Sequence, residues 1–557
     1  MVENTAEALA ELHNHYAKVE SFRNYKSAEV NADLFAREVR RLVEAGFVRQ
    51  YSSWQSLRRQ FQEVIVSKVA ALIKVRDDGS TKVRIIIDML RSMVNAFVRL
   101  HERIVLPRLM DVITDIVDLC SACLDQIAAG RPESVDQMVL DFADAFHSMG
   151  VHPDELPHQV FKLPGSGYGV YETVVFGGGG APLTWGRGAA LLGRSGQALF
   201  DETEARIQIY VDDPWTGWRG TTSQIRHNKC RLLCWWTALG PEISWGKVQH
   251  GRHVTWIGAT VSIPNELKAK LTLPKEYAKG LEDECEALLA LTAAPVSRVR
   301  RLAGKASWAG GFVPAIGAMI APMWAAIGDC KRVAGKAVVP LIPIVRTRHA
   351  LLWLRAFAAG RRGALGRSFE VKKHLARALL AMDFDASPWG YGGVLYYSGR
   401  PFSYFSEPIS NLDIIRFGIV VGSHVYQALV ENLAILIGVR EWLPFWRNER
   451  LIVRIRSDSK AAVGAWTKER SSTPGINTVV REMALDMAEG VYKIDVKEHL
   501  PGKFNVVADA LSRMTQPGAQ QTLPGELLRS KRVYPAVRDP MWWRAAGNLE
   551  DTAGFAA

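Results

Sequence analysis

The sequence predicts a multidomain protein of mixed α+β and α/β class. Its 557 residues exceed the roughly 250 to 300 residues at which a single hydrophobic core stops growing. Hydrophobic residues make up 48% of the chain and charged residues 23%, which supports folded cores and excludes a mostly disordered or collagen-like protein. Strand-rich segments come first, helical segments follow, and a strand and helix alternation returns near residue 378. We therefore expect two to four domains.

Turn and helix signals define the expected elements of the first half. Residues 38–48 place apolar side chains at helical spacing up to Gly46, which predicts a helix followed by a strand. An Asp78-Gly79 pair between two strand-like arms predicts a β-hairpin. The other elements expected here are a helix near 107–129 and strands at 138–142, 205–217 and 253–263.

The second half changes from helices to a mixed pattern of strands and helices. Residues 276–292 are amphipathic at helical spacing. Three strands are expected between 379 and 406, followed by a helix at 426–443 and a strand at 450–459. This order is typical of a compact mixed-sheet domain. Residues after about 516 are rich in turn formers and are expected to be loose.

The net charge of +12 is concentrated in one segment. Residues 331–377 contain twelve Lys or Arg against one acid, Glu370. The twelve basic residues are Lys331, Arg332, Lys336, Arg346, Arg348, Arg355, Arg361, Arg362, Arg367, Lys372, Lys373 and Arg377. Such a segment predicts a polyanionic partner, and the alternative is a solvated basic surface without a dedicated ligand.

The cysteines and the start of the chain indicate an intracellular protein, cytoplasmic or nuclear. No signal-peptide pattern is present, and six Cys in so long a chain are typical of free thiols in a reducing compartment. The pairs Cys120/Cys123 and Cys230/Cys234 have spacings that a zinc site could use. Both pairs lie in apolar, helix-like segments without the turn glycines of zinc knuckles, which favours buried thiols.

The uncharged stretch 306–328 raises the question of a membrane span. Its 23 residues are long enough to cross a bilayer. However, it contains several glycines, Pro314 and Pro322, few Leu or Ile, and basic residues close on both sides. These features disfavour a transmembrane helix, and we expect no stable membrane association.

Acidic residues at strand ends suggest metal-dependent chemistry. Asp141 follows one predicted strand, and Asp212 and Asp213 lie at the tip of another. Three carboxylates brought together would repel one another unless divalent cations neutralise them. Two such metals can activate an attacking hydroxyl and stabilise a leaving pyrophosphate in phosphoryl transfer. The alternative for each motif alone is an ordinary turn or cap aspartate.

Four segments in a fixed order extend this interpretation. They are VLDFADAF (139–146), FGGGGAP (176–182), IYVDD (209–213) and WGKVQHGRHVTWIG (245–258). In this order they resemble the successive motifs of a reverse transcriptase, and residues 295–324 resemble the thumb segment of retrotransposon enzymes. The resemblance implies a right-hand polymerase fold of fingers, palm and thumb. It also implies that Asp141, Asp212 and Asp213 bind two Mg²⁺ ions, with Mn²⁺ as the alternative.

The same resemblance implies which residues bind the nucleotide and the template. Phe146 takes the position of an aromatic steric gate against the sugar 2′ position, which implies dNTP substrates; the alternative is core packing. Lys247 resembles the general acid for the departing pyrophosphate, and the alternative is a solvated lysine. The remaining implied residues are Asp144 and Ala145 in the triphosphate pocket, Gly177 to Gly180 and Pro182 in the template-contacting loop, Tyr210, Lys82 and Arg84 near the triphosphate, and Asp88 in a supporting role.

A second acidic set lies in the C-terminal region. The segments DASPWGYGGVL (385–395), ENLAIL (431–436), SDS (457–459) and HLPGKFNVVADALSR (499–513) resemble the ribonuclease H of gypsy-like or DIRS-like retrotransposons. The resemblance implies a ribonuclease H-like mixed-sheet domain that binds two metals. The implied ligands are Asp385, Glu431, Asp458 and Asp509. His499 would carry a proton or assist product release, and the alternative is a surface histidine.

Two choices among neighbouring acids depend on this resemblance. Asp383 lies on the same strand face as Asp385 because strand side chains alternate, and the Asp-Ala-Ser match selects Asp385. Glu431 is selected over Glu441 because the ENLAIL segment matches the helix of that family.

The motifs together predict the reverse transcriptase and ribonuclease H region of a retrotransposon polyprotein. Its expected partners are an RNA template, a DNA primer, the RNA/DNA hybrid and dNTPs. The alternative is an inactive or domesticated remnant that binds nucleic acid without catalysis. The expected layout is a polar extension (1–31), fingers and palm (32–265), thumb (266–330), a basic connection (331–377), a ribonuclease H-like domain (378–515) and a loose tail (516–557).

Overall fold

The protein is a mixed α/β chain with several sheets, divided into two compact units. The computed structural model describes residues 23–75, 79–333, 340–371, 379–446, 452–489, 491–492, 494–519 and 522–545. The first unit comprises residues up to 257, together with 261–269 and 369–371. The second comprises 258–260, 270–368 and the residues from 372 onward.

The described residues contain the following helices and strands. The helices are α1 (Lys26–Val30), α2 (Ala32–Glu44), α3 (Trp54–Gln60), α4 (Val94–Phe97), α5 (Leu109–Ala128), α6 (Ala181–Gln197), α7 (Thr222–Ala238), α8 (Lys275–Leu289), α9 (Val296–Ala309), α10 (Pro314–Val333), α11 (Arg348–Ala358), α12 (Asn411–Phe417), α13 (Gln427–Glu441), α14 (Leu443–Trp446), α15 (Lys460–Lys468), α16 (Pro474–Ala488) and α17 (Val506–Arg513). The strands are β1 (Val48–Tyr51), β2 (Val66–Val75), β3 (Thr81–Asp88), β4 (Ser134–Val139), β5 (Val160–Lys162), β6 (Tyr168–Tyr171), β7 (Ala205–Tyr210), β8 (Asp213–Gly220), β9 (Gln249–Gly251), β10 (His253–Trp256), β11 (Ala259–Asn265), β12 (Lys268–Thr272), β13 (Ala293–Pro295), β14 (Leu341–Pro343), β15 (Gly366–Glu370), β16 (Leu379–Ala386), β17 (Gly390–Tyr397), β18 (Arg400–Pro408), β19 (Ile452–Ser457), β20 (Val496–His499) and β21 (Lys531–Arg532).

Two sheets position the acidic residues of the first unit. A five-stranded sheet has the order β1-β6-β5-β2-β3, and α2 buries Phe35, Val39 and Leu42 in its core because these residues recur at helical spacing. A four-stranded sheet has the order β7-β8-β4-β9. Trp185 of α6 and Trp236 of α7 are fully buried in the core of this second sheet.

The structure confirms most predicted elements of the first unit and divides two of them. The helix before Gly46, the β2–β3 hairpin and the helix near 107–129 are present, although Asp78 lies outside the described residues. The predicted strand 205–217 is instead the antiparallel pair β7 and β8 around a two-residue turn. The predicted strand 253–263 breaks after β10, where Ile257 and Gly258 both have positive φ.

The second unit contains a six-stranded mixed sheet of order β20-β19-β16-β17-β18-β21. β16, β17 and β18 are antiparallel neighbours, whereas β19 runs parallel to β16 and β20 runs parallel to β19. α13 packs on β16 and on α16, and it is apolar on nearly every side because it is buried along most of its length. These elements confirm the predicted strand and helix order of this region.

The segment 522–545 packs onto this sheet, which corrects the expectation of a loose tail for these residues. β21 pairs in parallel with β18, and the indole of Trp543 is buried in the sheet core. Arg538 donates to both carboxylate oxygens of Asp413, and this pair is nearly inaccessible to solvent. The composition predicts a loose segment because turn-forming residues dominate it, whereas only a few side chains anchor the segment to the sheet. Residues 546–557 lie outside the described part of the chain.

A buried charge cluster also fastens this segment. Arg440 on α13 contacts Glu482 and Asp486 on α16, each at 2.8 Å, and both acids are almost fully buried. Arg544 contacts Asp486 at 2.5 Å, and the indole of Trp542 stacks on the Arg440 guanidinium at 4.4 Å. Buried carboxylates are stable only when paired in this way. The cluster therefore couples α13, α16 and the C-terminal segment.

The cysteine prediction is confirmed for one pair and wrong for the other. Cys120 and Cys123 are buried on α5, and burial raises the pKa of the Cys120 thiol to about 12. Cys230 and Cys234 are exposed on α7, because the apolar stripe of that helix runs through other positions.

The uncharged stretch 306–328 falls on α9 and α10, which residues 310–313 separate. None of the helices in the described ranges is long and apolar enough to cross a membrane.

The described part of the basic segment lies in the second unit, apart from residues 369–371. Its helix α11 buries one apolar face, while Arg346, Arg348 and Arg361 are exposed. Arg346 pairs with Asp329 at 2.5 Å. The remaining basic residues include four, Lys336, Lys372, Lys373 and Arg377, that lie outside the described residues.

The buried Arg538–Asp413 pair yields a stability prediction. Arg538→Ala would leave the buried Asp413 carboxylate without its cation, so we expect a loss of about 3 to 5 kcal/mol in the unfolding free energy. Arg529→Ala removes an exposed arginine from the same segment and should change it by less than about 0.5 kcal/mol. Urea unfolding followed by tryptophan fluorescence measures both, and equal stabilities would contradict a structural role for the segment.

Candidate active sites

The chain brings Asp141, Asp212 and Asp213 together at one end of the four-stranded sheet; these three residues are the first acidic site. After β4, the amide of Phe142 donates to the Asp212 carbonyl at 2.9 Å, and the amide of Leu140 donates to the Pro214 carbonyl at 3.2 Å. Asp141 lies between these two bonds. The β4 extension is thereby fixed against the β7–β8 turn that presents the other two acids.

Two tryptophans hold the β7–β8 turn. Val211 has φ 55, an unusual conformation for a β-branched residue that surrounding contacts must stabilise. The indole of Trp185 donates to the Val211 carbonyl at 2.8 Å, and that of Trp256 donates to the Asp213 carbonyl at 2.9 Å. The acidic tip is therefore anchored on both sides by large buried side chains.

The first acidic site has an excess of negative charge. Burial, together with the charges of Asp212 and Asp141, raises the pKa of Asp213 to about 6. Burial, with a contribution from Asp141, also raises the pKa of Asp212. Like charges in one site disfavour ionisation of each other, so this arrangement favours the binding of a cation.

Asp141 has two donors from the segment that follows α7. Ser244 Oγ donates to Asp141 Oδ2 at 2.8 Å, and Lys247 Nζ contacts the same oxygen at 2.6 Å. The Ser244 amide also donates to the Asp141 carbonyl at 2.9 Å. Sequence reasoning named Lys247 but missed Ser244, whose only signal was its place three residues before that lysine.

Phe146 lies in a 3₁₀ turn of residues 145–148, next to the first acidic site in sequence. Its ring is 8% exposed and contacts the Phe176 ring at a centroid distance of 4.7 Å. Asp144, with φ 45, begins the turn and pairs with Arg41 at 2.8 Å. The turn is therefore held at both ends, and Ala145 between them is buried.

The glycine loop, residues 177–180, has a conformation that requires glycine at its first position. Gly177 has φ 115, and a Cβ there would lie 2.0 Å from the Ile87 carbonyl oxygen of β3. Gly180 precedes α6, and Pro182 lies in the first turn of that helix, where proline loses no hydrogen bond.

The other predicted substrate residues lie on β3 and at the end of β7. Arg84 on β3 lies 6.0 Å from the centroid of the Phe176 ring, and Lys82 lies two residues earlier on the same strand. Tyr210 packs edge-on against Trp256 at 6.2 Å. Asp88 accepts from the Tyr25 hydroxyl and from the Arg91 amide. Asp88 therefore links β3 to Tyr25 and to the turn that follows the strand.

A second acidic site, Asp385, Glu431, Asp458 and Asp509, lies at one edge of the six-stranded sheet. Asp385 comes from β16, Glu431 from α13, Asp458 from the end of β19, and Asp509 from α17. Asp385 is 5% exposed, and burial with the charges of the other three acids raises its pKa to about 7. Burial and the charge of Asp458 also raise the pKa of Glu431. The four predicted carboxylates are thus electrostatic neighbours.

Hydrogen bonds orient the acids of the second site. Ser512 Oγ donates to Asp385 Oδ2 at 2.6 Å, and Arg513 Nε donates to Asp509 Oδ1 at 2.7 Å. Gln427 Nε2 donates to Glu431 Oε1 at 3.1 Å. Sequence reasoning did not single out Ser512 or Gln427; the Leu-Ser-Arg end of the last motif was the one available signal.

His499 and Asn505 lie beside Asp458. His499 is the last residue of β20, and its Nε2 is 3.0 Å from the Asp458 carbonyl oxygen. Asn505 Nδ2 donates to the Phe384 carbonyl at 3.0 Å and lies 3.4 Å from Asp458 Oδ1. Asn505 is fully buried, which links the strand that carries Asp385 to the acid at the end of β19.

Asp383 and Glu441, the two acids that were not selected as ligands, have other partners. Asp383 accepts from Arg456 Nε at 2.6 Å and from its Nη2 at 2.9 Å, a bidentate pair. Glu441 lies at the other end of α13, where the Ala536 backbone donates to it. Neither is among the groups that shift the pKa of Asp385.

The donor chemistry of both sites fits Mg²⁺, which prefers carboxylate oxygens. Within the described ranges, however, no three His, Cys, Asp or Glu side chains are arranged to hold a metal ion as they stand. Several of the seven carboxylates accept instead from protein donors, among them Lys247, Ser512 and Arg513. Each of these carboxylates keeps lone pairs for a metal ion beside its present donor, because an ionised carboxylate has about four acceptor sites.

Gly177 can be tested directly. Gly177→Ala places a Cβ against the Ile87 carbonyl in a conformation that L residues avoid, so we expect a loss of more than about 2 kcal/mol in unfolding free energy. Gly246→Ala is the control, because no atom lies within 4 Å of its added Cβ. Chemical denaturation compares the variants, and an unchanged Gly177→Ala protein would contradict this loop geometry.

Asp385 gives a pH-dependent prediction. A folded-state pKa of about 7, above the unfolded value near 3.8, means that stability falls as the pH rises between these values. Without divalent cations, Asp385→Asn should therefore stabilise the protein by about 2 to 4 kcal/mol at pH 8 and have little effect near pH 4. Asp383→Asn is the control: it leaves Arg456 without its carboxylate and should not stabilise the protein. Urea unfolding at both pH values measures this, and a destabilised Asp385→Asn protein at pH 8 would refute it.

Comparisons with known proteins concern the fold alone. No protein-family model matches this chain, and no curated protein matches it. One similar solved structure is the foamy viral protease-reverse transcriptase dRH with double-stranded DNA, with a TM-score of 0.45 and 14% identity over 86% of this chain and 71% of that chain. The foamy viral protein with an RNA/DNA hybrid gives 0.44 and 13% over 86% and 55%, and with double-stranded DNA it gives 0.45 and 14% over 86% and 83%. The described helices and strands make the chain a mixed α/β protein with several sheets.

Proposed function

We propose that the chain is an RNA-directed DNA polymerase that also has ribonuclease H activity. One observation supports this most strongly: each compact unit gathers carboxylates from separate chain segments. Burial and neighbouring carboxylates raise the pKa of Asp213 in the first unit and of Asp385 in the second. Perturbed acids clustered at strand ends are typical of catalytic sites. The motif order in the sequence gives each cluster its specific role.

In the polymerase, Asp141, Asp212 and Asp213 would hold Mg²⁺. The bound ions would supply positive charge to the 3′-hydroxyl and to the triphosphate. Lys82 and Arg84 of β3 bind the triphosphate of the incoming dNTP.

The protein side chains then orient the nucleotide and transfer its protons. Phe146 excludes a ribose 2′-hydroxyl with its ring, and the glycine loop allows the backbone to approach the templating base pair. Lys247 holds a proton on Nζ for the departing pyrophosphate. Its contact with Asp141 at 2.6 Å supports a lysine that reaches the reacting atoms.

In the nuclease, Asp385, Glu431, Asp458 and Asp509 would hold Mg²⁺, and the bound ions would supply the positive charge that makes water a better nucleophile toward the RNA phosphodiester. Ser512 and Gln427 orient Asp385 and Glu431 for that purpose. His499 accepts and releases a proton beside Asp458. The RNA 2′-hydroxyl and the groove shape of the hybrid select the strand to be cut.

Exposed arginines of the basic segment, residues 331–377, support a nucleic-acid partner for both reactions. Arg348 and Arg361 are exposed, and contacts from such residues to phosphates give sequence-independent binding that weakens with salt. RNA template, DNA primer and the RNA/DNA hybrid all present that backbone.

A second candidate function is nucleic-acid binding without catalysis, as in a domesticated retroelement remnant. It is favoured by the carboxylates that are already paired with Lys247, Ser512 and Arg513. The cationic side chains of Lys247 and Arg513 compensate negative charge without a metal, and Ser512 adds a hydrogen bond.

Primer extension and RNA cleavage distinguish the two functions. The purified chain is given an RNA template, a DNA primer, dNTPs and Mg²⁺, and a labelled hybrid reports cleavage. Asp212→Asn/Asp213→Asn should lower extension by about 100-fold or more and leave cleavage intact, since each site supplies its own charge stabilisation. Asp509→Asn should lower RNA cleavage by a similar factor and leave primer extension intact. The matched controls are Asp154→Asn and Glu526→Gln, two exposed acids outside both acidic sites.

The outcomes separate clearly. Two independently lost activities would support two active sites. A folded wild-type chain that binds the hybrid but neither extends nor cleaves would reject catalysis and favour the binding function.

A further inference from the structure

The glycine loop is connected to a long irregular segment that follows β3. Residues 89–108 contain one short helix, α4, and otherwise lack regular structure. Within a compact unit, an irregular connection of this length is uncommon and is often functional. This segment contacts the glycine loop through Asn95.

Asn95 makes the central contact with two hydrogen bonds. Its Nδ2 donates to the Gly177 carbonyl at 2.9 Å, and its Oδ1 accepts from the Gly179 amide at 2.6 Å. A carboxamide has both a donor and an acceptor, so one side chain satisfies two backbone groups of a loop that has no ladder of its own. Aspartate, alanine and serine cannot reproduce both bonds.

The backbone before Asn95 is shaped to present this side chain. Met93 has φ 63, an uncommon conformation for a residue other than glycine, and the Asn95 amide donates to the Met89 carbonyl at 3.0 Å. Ser92, three residues before Asn95, shares a buried hydrogen bond of 2.7 Å with Ser67 of β2. Asn95 is therefore held from its own side before it contacts the loop.

The loop in turn determines where two aromatic rings lie. Phe176 directly precedes Gly177, and its carbonyl accepts from the Ile87 amide at 3.3 Å. Its ring contacts Phe146 at 4.7 Å and lies 6.0 Å from the Arg84 guanidinium. A shift of Gly177 would therefore move the ring against which Phe146 packs.

We propose that Asn95 is a positioning residue that fixes the glycine loop and, through Phe176, sets the Phe146 ring that discriminates the sugar of the incoming nucleotide. This inference rests on the polymerase function proposed above. Asn95 acts through the loop and the two rings, so its effect should appear in nucleotide binding and sugar selection more than in the maximal rate.

The test compares Asn95→Ala and Asn95→Asp with wild type in single-nucleotide primer extension, using dNTP and rNTP in parallel. Asn95→Ala loses both bonds, and we expect KM for dNTP to rise roughly tenfold with a smaller change in kcat. The dNTP over rNTP preference should fall by a similar factor. Asn95→Asp keeps an acceptor for the Gly179 amide but repels the Gly177 carbonyl, so it should not restore wild-type values.

Asn31→Ala is the matched control. It also removes an asparagine amide that donates to a backbone carbonyl, that of Ser27 at 2.8 Å, in the same unit. Thermal unfolding of all variants shows whether stability alone accounts for the kinetics. If Asn31→Ala lowers Tm as much as Asn95→Ala and leaves KM and sugar preference unchanged, the positioning role is supported.

The contrary results are also distinct. A wild-type chain that extends primers, with Asn95→Ala unchanged in KM and sugar preference, overturns this inference and leaves the polymerase function intact. Equal effects of Asn31→Ala and Asn95→Ala overturn it as well. A wild-type chain that extends no primer overturns both.

Discussion

The repulsion among buried carboxylates is the constraint on which the rest of the structure depends. In each unit, acids from different segments face one another closely enough to raise the pKa of a neighbour. Such proximity is costly, so the surrounding fold must hold the acids in place. Trp185 and Trp256 do this in the first unit. Ser512 and the fully buried Asn505 do it in the second.

The two units solve this problem with different elements. In the first, all three acids lie at the tips of neighbouring strands, and backbone hydrogen bonds between those strands set their spacing. In the second, two strands and two helices each contribute one acid, so side-chain packing of α13 and α17 on the sheet sets the spacing. The second arrangement depends more heavily on a complete hydrophobic core.

Sequence patterns predicted the elements with strong local signals and missed the contacts made over long distances. The β2–β3 hairpin, α5, α8 and the order of β16 to β19 follow from periodicity and turn residues. The division of 205–217 into two strands escaped prediction because the turn uses Val211 at positive φ, a residue that disfavours it. Ser244, Ser512 and Asn95 were missed because each acts through a partner more than 80 residues away. No local pattern reports such pairs.

The position of β21 has a consequence for how the second unit forms. Ser403 on β18 and Lys531 on β21 are hydrogen-bonded although 128 residues separate them along the chain. The indole of Trp543 is buried in the same core, although Trp543 is also far along the chain from β16, β17 and β18. During synthesis, the sheet that carries Asp385 would be completed only after these C-terminal residues have been made. Closing so long a loop is slow, and earlier folding intermediates lack part of their hydrophobic core. The second acidic site would then be complete only after the first unit has already folded.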